Sequence, residues 1–249
     1  MRGLVKAVAI LASLAQGCAA LPAQRESALG LGQMASVRGR QGLVIGAPHG
    51  TSDEQTDRIG VDLARRTGFG LVVATGYGNL DDRRRRLNVN RPTEGVPGSP
   101  PAEEVYTDNA RIVYEAYVSR VREVAQGPLS LYVELHGNGR QGSAGGIEIA
   151  TVGVSPPDAW RLKTLLELIR DAHLRGKPEI PRLEVLVEPL DRLSFTASSA
   201  KQVGILKLPE RAFHIELPRV ARTLGREAYT DVLADFLAQA SRLLLSKGR

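Results

Sequence analysis

The chain reads as an α/β protein of three layers, a mostly parallel mixed sheet with helices on both faces. Two observations predict this. Short apolar segments alternate with longer amphipathic ones along most of the chain, which is the order of strand and crossover helix. Several of the short segments are apolar throughout, as strands covered on both faces are. With 249 residues, 43% of them hydrophobic and 24% charged, the chain is long enough for one sizeable core. Aromatics make up only 4%, so aliphatic side chains must fill that core.

The first twenty residues stand apart. Arg2 and Lys6 precede an apolar run from Ala7 to Ala15, too short to span a bilayer, and small residues follow at Gly17-Cys18-Ala19-Ala20. This is the pattern of a secretory signal peptide, and it predicts an exported protein, periplasmic or membrane-anchored. Cys18, the single cysteine, stands where a lipoprotein carries its lipid, although Leu14 lies one place too far from it. Cleavage after Ala20 or Ala23 is the rival reading. Without that cysteine the mature chain has neither disulfide nor thiolate nucleophile. Residues 21–40 lack periodicity and read as a tether, leaving 41–249 as a single catalytic domain.

Gly42 to Ala47 predicts a buried strand stopped by Pro48, and a helix is expected from about Glu54 to Arg66. Leu71 to Ala74 is a second strand. Residues 77–104 are rich in Arg, Asn, Pro and Gly and read as a long loop of the kind that often carries function. A helix from Thr107 to Val124 precedes a strand from Leu129 to Leu135. A glycine-rich turn, a strand from Ile147 to Val152 and a helix from Pro157 to His173 follow. Leu183–Val187, Gly204–Leu208 and Phe213–Leu217 are expected strands, and residues 222–246 close the chain as an amphipathic helix.

Polar groups gather where strands end, which is where open α/β sheets bind ligands. His49 leaves the first strand, with Asp53 and Glu54 four and five residues later, a spacing that suits a metal. The same acids could cap the helix, Ser52 or Asp53 directly, or Thr51 with Glu54 as a capping box. His136 ends another strand, before Gly137 and Gly139. Two of the chain's four histidines thus occupy equivalent strand ends, which favours metal ligation. Alternation puts His214 and Glu216 on one strand face. A carboxylate there is costly to bury unless paired or functional, so Glu216 is the candidate general base, and His214 either orients it or serves as an alternative ligand. A solvated edge strand would be the structural explanation.

The formal net charge of +6 falls to +4 once Arg2 and Lys6 leave with the leader, and five arginines lie between Arg83 and Arg91. The basicity is therefore local, and without interleaved aromatics it does not suit nucleic acid. Arg86 and Arg91 are candidates for gripping a carboxylate, the partner that an arginine fork binds best. No Gly-x-Ser-x-Gly elbow occurs, which removes the common serine hydrolase pattern.

Pro48-His49-Gly50, Asn88-Val89-Asn90-Arg91-Pro92, Leu135-His136-Gly137 and Ile215-Glu216-Leu217, in that order, resemble the N-formylglutamate amidohydrolase family over roughly residues 42–220. The resemblance implies a zinc carboxypeptidase-like fold and one Zn2+ per chain. It implies His49, His136 and either Asp53 or Glu54 as ligands, Asp53 being the simpler match. It further implies Glu216 as base and Asn90 with Arg91 as the grip on a substrate carboxylate. The expected activity is hydrolysis of the C–N amide bond of a small acidic or peptide-like substrate by metal-activated water. Export sits poorly with formylglutamate itself, so a periplasmic poly-γ-glutamate or peptidoglycan-type amide is the alternative. A non-catalytic binding lipoprotein on the same fold is another.

Overall fold

The computed structural model describes residues 24–26, 28–50, 52–78, 86–95 and 104–246. The leader with Cys18, Thr51, and Arg83 to Arg85 lie outside the described residues. Among the described residues no helix is long and apolar enough to cross a membrane.

In chain order the strands are β1 (Gln24–Glu26), β2 (Gln33–Val37), β3 (Arg40–Ala47), β4 (Phe69–Thr75), β5 (Arg86–Asn88), β6 (Thr93–Gly95), β7 (Glu104–Tyr106), β8 (Leu131–Asn138), β9 (Gly146–Val152), β10 (Glu184–Val187) and β11 (Ala212–Pro218). The helices are α1 (Thr56–Thr67), α2 (Asp108–Ala125), α3 (Pro156–His173), α4 (Ser198–Val203), α5 (Arg219–Arg222) and α6 (Arg226–Leu245). Eight strands form the main sheet in the order β1-β2-β4-β3-β8-β11-β9-β10. The central run β4, β3, β8 and β11 is parallel, while β9 runs antiparallel to β11.

Odd-numbered residues of the central strands, such as Ile45, Val133 and Ile215, pack under α1, α3 and α6 through Leu63, Leu166 and Phe236. Even-numbered ones, Val44 and Tyr132 among them, meet Tyr117 and Val121 of α2, and Ile205 and Leu206 lie beneath the same face. This is the three-layer α/β/α architecture that the alternation of apolar segments predicts. Burying about 25 cal/mol per Å² of apolar surface on each face is what holds the layers together.

Three expectations need correction. The supposed tether at 21–40 holds β1 and β2, and β2 extends the sheet antiparallel to β4. Gln33–Val37 lacks a clean alternation because only Met34 is fully buried, so the pairing decides what the pattern does not. The long loop at 77–104 contains the strands of a small antiparallel sheet, β5-β6-β7. Gly204–Leu208 is no strand: α4 ends there and residues 205–207 make a 3-10 turn. Ile205 and Leu206 are buried by packing on the α2 side of the sheet, and the backbone is fixed by Ile205 N–H donating to Asn90 O at 2.9 Å rather than by a ladder. Short apolar runs do not separate these outcomes.

Candidate functional site

Gly46 of β3 lets the centre of the sheet approach α2: a Cβ there would overlap the hydroxyls of Tyr132 and Tyr117, which hydrogen-bond to each other at 2.9 Å. One step toward the carboxyl ends, the same sheet face turns polar. Glu134 and His136 of β8 lie beside His214 and Glu216 of β11, paired in register Glu134 to His214 and His136 to Glu216. All four are buried.

Their side chains form one alternating row of acids and histidines. Asp53 Oδ2 lies 3.3 Å from His136 Nδ1, and His136 Nε2 lies 3.1 Å from Glu134 Oε2, though off the line of a hydrogen bond. The same Glu134 oxygen meets His214 Nδ1 at 2.9 Å, and His214 Nε2 meets Glu216 Oε1 at 3.1 Å. His49 completes the group, its ring centre 5.1 Å from that of His136.

Neither Asp53 nor Glu54 caps α1. The helix begins after Gln55 in a left-handed turn, with no side-chain cap. Asp53 accepts instead from Gly137 N–H at 3.2 Å. Glu54 points away: its carboxylate accepts from Arg219 Nε at 3.2 Å, and nearly half of the side chain is exposed. Of the two carboxylates left open by the spacing, Asp53 joins the cluster and Glu54 pairs with Arg219 instead. The turn is held from below by Arg222, which donates to Glu54 O at 2.6 Å, Leu217 O at 3.0 Å and Asn138 O at 3.1 Å. It lies against Gly137, where a Cβ would strike the guanidinium.

The expected substrate grip is divided. Arg91 forms a two-pronged pair with Glu104 and donates to Asn90 Oδ1 at 2.9 Å. The Asn90 Nδ2 is buried with no hydrogen-bond partner among the described residues. Arg86 is exposed, and its charge reaches His49 and Asp53. Glu134, Glu104 and Glu148 escaped the sequence reading. Glu134 carried a usable signal, an acid two places before His136 in an apolar strand and hence on the same face. Glu148 lies beside Glu216 on β9 and accepts from Ser194 and Phe195 N–H at 2.7 and 2.9 Å.

The electrostatics follow from burial and from the row itself. Burial, then Arg86 and His136, hold His49 well below the ordinary histidine range, so it is neutral, the form that ligates metals. Burial also opposes charge on His136, but Glu134 and Asp53 outweigh it and push its pKa up to about 10. Burial pushes Glu134 and Asp53 upward, yet the histidines keep both below the usual carboxylate range. A raised histidine pKa contributes stability that is complete below its unfolded value of about 6.5 and is lost as pH rises through about 10. The depressed acids contribute above about pH 4 and lose it on acidification. The metal-free protein is therefore expected to melt highest near about pH 6.5 and lower toward pH 10 as His136 loses its proton. It should also melt lower on acidification, because the unfolded chain protonates His49 while the folded chain keeps it neutral. A calorimetric melting series that stays flat between pH 7 and 10 would show that His136 is not held as a cation.

The residues fit a divalent cation. Donors about 2.0–2.1 Å from a tetrahedral ion stand roughly 3.3 Å from one another, which is the Asp53 Oδ2 to His136 Nδ1 separation of 3.3 Å. Glu134, His136 and His214 also place ligand atoms within 4.8 Å of one another, so His136 faces a candidate seat through each ring nitrogen.

No family model matches the chain, and no curated protein does. Among solved structures, a bacteriophage poly-gamma-glutamate hydrolase aligns at 11% identity, covering 87% of this chain and 91% of its own, with a TM-score of 0.48. A Pseudomonas aeruginosa metallo-carboxypeptidase aligns at 14% identity over 84% of this chain and 61% of its own, with a TM-score of 0.42. An N-acetylmuramoyl-L-alanine amidase of Nostoc punctiforme aligns at 10% identity, 84% and 99% coverage, and a TM-score of 0.38. This chain is similar to these proteins at the level of a mixed α/β arrangement.

Proposed function

We propose that this chain is a metal-dependent amidohydrolase acting on an acidic amide. The observation that carries the reading is the cluster itself, a metal-sized gap between Asp53 and His136 with the oriented carboxylate of Glu216 on the strand beside His136. His49, Asp53 and His136 would hold the ion, zinc by the nature of the donors. When bound, the ion lowers the pKa of water to about 7 and polarises the scissile carbonyl.

The chain's own residues do the rest. Glu134 lies 3.1 Å behind the Nε2 of His136, while the Nδ1 of that ring faces Asp53. On metal binding that carboxylate would orient the ring, as one behind a ligating histidine does. His214, hydrogen-bonded on both sides, turns the carboxylate of Glu216. Glu216 takes the proton of the attacking water and passes it to the leaving nitrogen. Arg86 would attract the substrate carboxylate, Asn90 Nδ2 is a further donor without a partner among the described residues, and Arg91 holds Asn90 in place by donating to its Oδ1. The seat between Glu134 and His214 is the second reading, favoured by the compactness of that trio.

Elemental analysis of the purified protein supplied with zinc tests both. About one zinc per chain is expected, lost in His136→Ala and His49→Ala and kept in His214→Ala. Loss in His214→Ala with retention in His49→Ala would move the ion to the inner seat. No zinc in the parent protein would sink the hydrolase reading.

A further inference from the structure

Beyond His136, β8 carries one more inward residue that neither the metal seat nor the proton row uses. Asn138 shares the face of Glu134 and His136 by strand alternation, because Arg222 occupies the opposite face at Gly137. It is 3% exposed, and neither its Oδ1 nor its Nδ2 has a hydrogen-bond partner among the described residues. A buried carboxamide with both ends unmade is destabilising, so it calls for a partner from outside the chain, an ordered water or a ligand.

What surrounds it indicates which ligand. The turn after Asn138 brings the Arg140 guanidinium 4.4 Å over the Phe195 ring. The 194–195 backbone is pinned to Glu148, the β9 neighbour of Glu216. This wall stands on the β9 side of Glu216, whereas Arg86 acts on His49 and Asp53 at the β3 side. The two cationic groups therefore flank the reacting position from opposite ends.

A carboxamide offers one donor and one acceptor side by side. Its complement is a residue of an extended polyamide backbone, whose own N–H and C=O point the same way. We infer that Asn138 is a binding residue for the backbone of an acidic oligoamide on the acyl side of the scissile bond, with Arg140 receiving that unit's carboxylate. The inference rests on the hydrolase reading for its orientation and names the substrate class: an oligoamide with an acidic unit on each side of the scissile bond rather than a single N-acyl amino acid.

The test is calorimetric binding of N-acetyl-triglutamate and N-acetylglutamate to the chelator-treated full chain and to Asn138→Leu and Asn138→Asp. The parent protein is expected to prefer the longer ligand, and both variants to lose that preference by about 10–100-fold, the worth of two hydrogen bonds. Asn138→Leu, which removes two unmade polar groups, is expected to melt no lower than the parent. An unchanged preference, no preference in the parent, or a lowered melting temperature with equal loss for both ligands would overturn the inference. Because binding is read without metal, absence of zinc alongside a lost preference would overturn only the hydrolase reading.

Discussion

Replacing Glu216 by Gln is expected to lower kcat on an acidic amide by about 10²–10⁴-fold, the usual worth of a general base, while zinc content stays unchanged. Glutamine keeps the size of the side chain and can still meet His214, now 3.1 Å from Glu216 Oε1, but it cannot accept a proton. The metal should remain because Glu216, the register partner of His136, hydrogen-bonds His214 rather than a proposed ligand. Paired kinetics and elemental analysis decide it. Activity surviving above a tenth of the parent's would remove Glu216 from the role, and loss of zinc would make it a ligand instead.

Glu134→Gln should be the more damaging change to the molecule as a whole. This carboxylate is completely buried, with His136 at 3.1 Å and His214 at 2.9 Å on one oxygen. Neutralising it leaves His136 in the interior without the charge that stabilises its cationic form. Breaking a buried pair from one side costs about 3–5 kcal/mol, to be read by denaturant unfolding of the metal-free chain. Loss of the carboxylate that orients His136 should also weaken zinc binding by about 10–100-fold. A variant as stable as the parent, with unchanged zinc affinity, would show that Glu134 is a spectator.

These two residues mark different degrees of legibility in the sequence. Glu216 stands out because His214-Ile215-Glu216 alternates within an apolar strand, and alternation is a local property. The identical logic applies to Glu134 and His136, yet a lone acid in an apolar strand has no meaning until its partner is known. That partner, His214, is 80 residues away. Glu104 is hidden for the same reason, since nothing near it announces the pairing with Arg91.

By itself the amino-acid sequence determined the alternation of strand and helix, the three-layer class and the positions of His49, His136 and Glu216 at strand ends. Those features depend on hydrophobic period and turn residues, which act over a few neighbours. Only the tertiary structure decided that Asp53 rather than Glu54 enters the cluster, because a left-handed turn at Gln55 and the Arg222 clamp set which acid faces inward. It also decided that 33–37 is a strand and 204–208 is not, since a short apolar segment takes whichever backbone partner the fold presents. The row of acids and histidines exists for the same physical reason. Parallel pairing of β8 and β11 sets two distant segments in register, and long-range register is a property of the assembled sheet rather than of either segment.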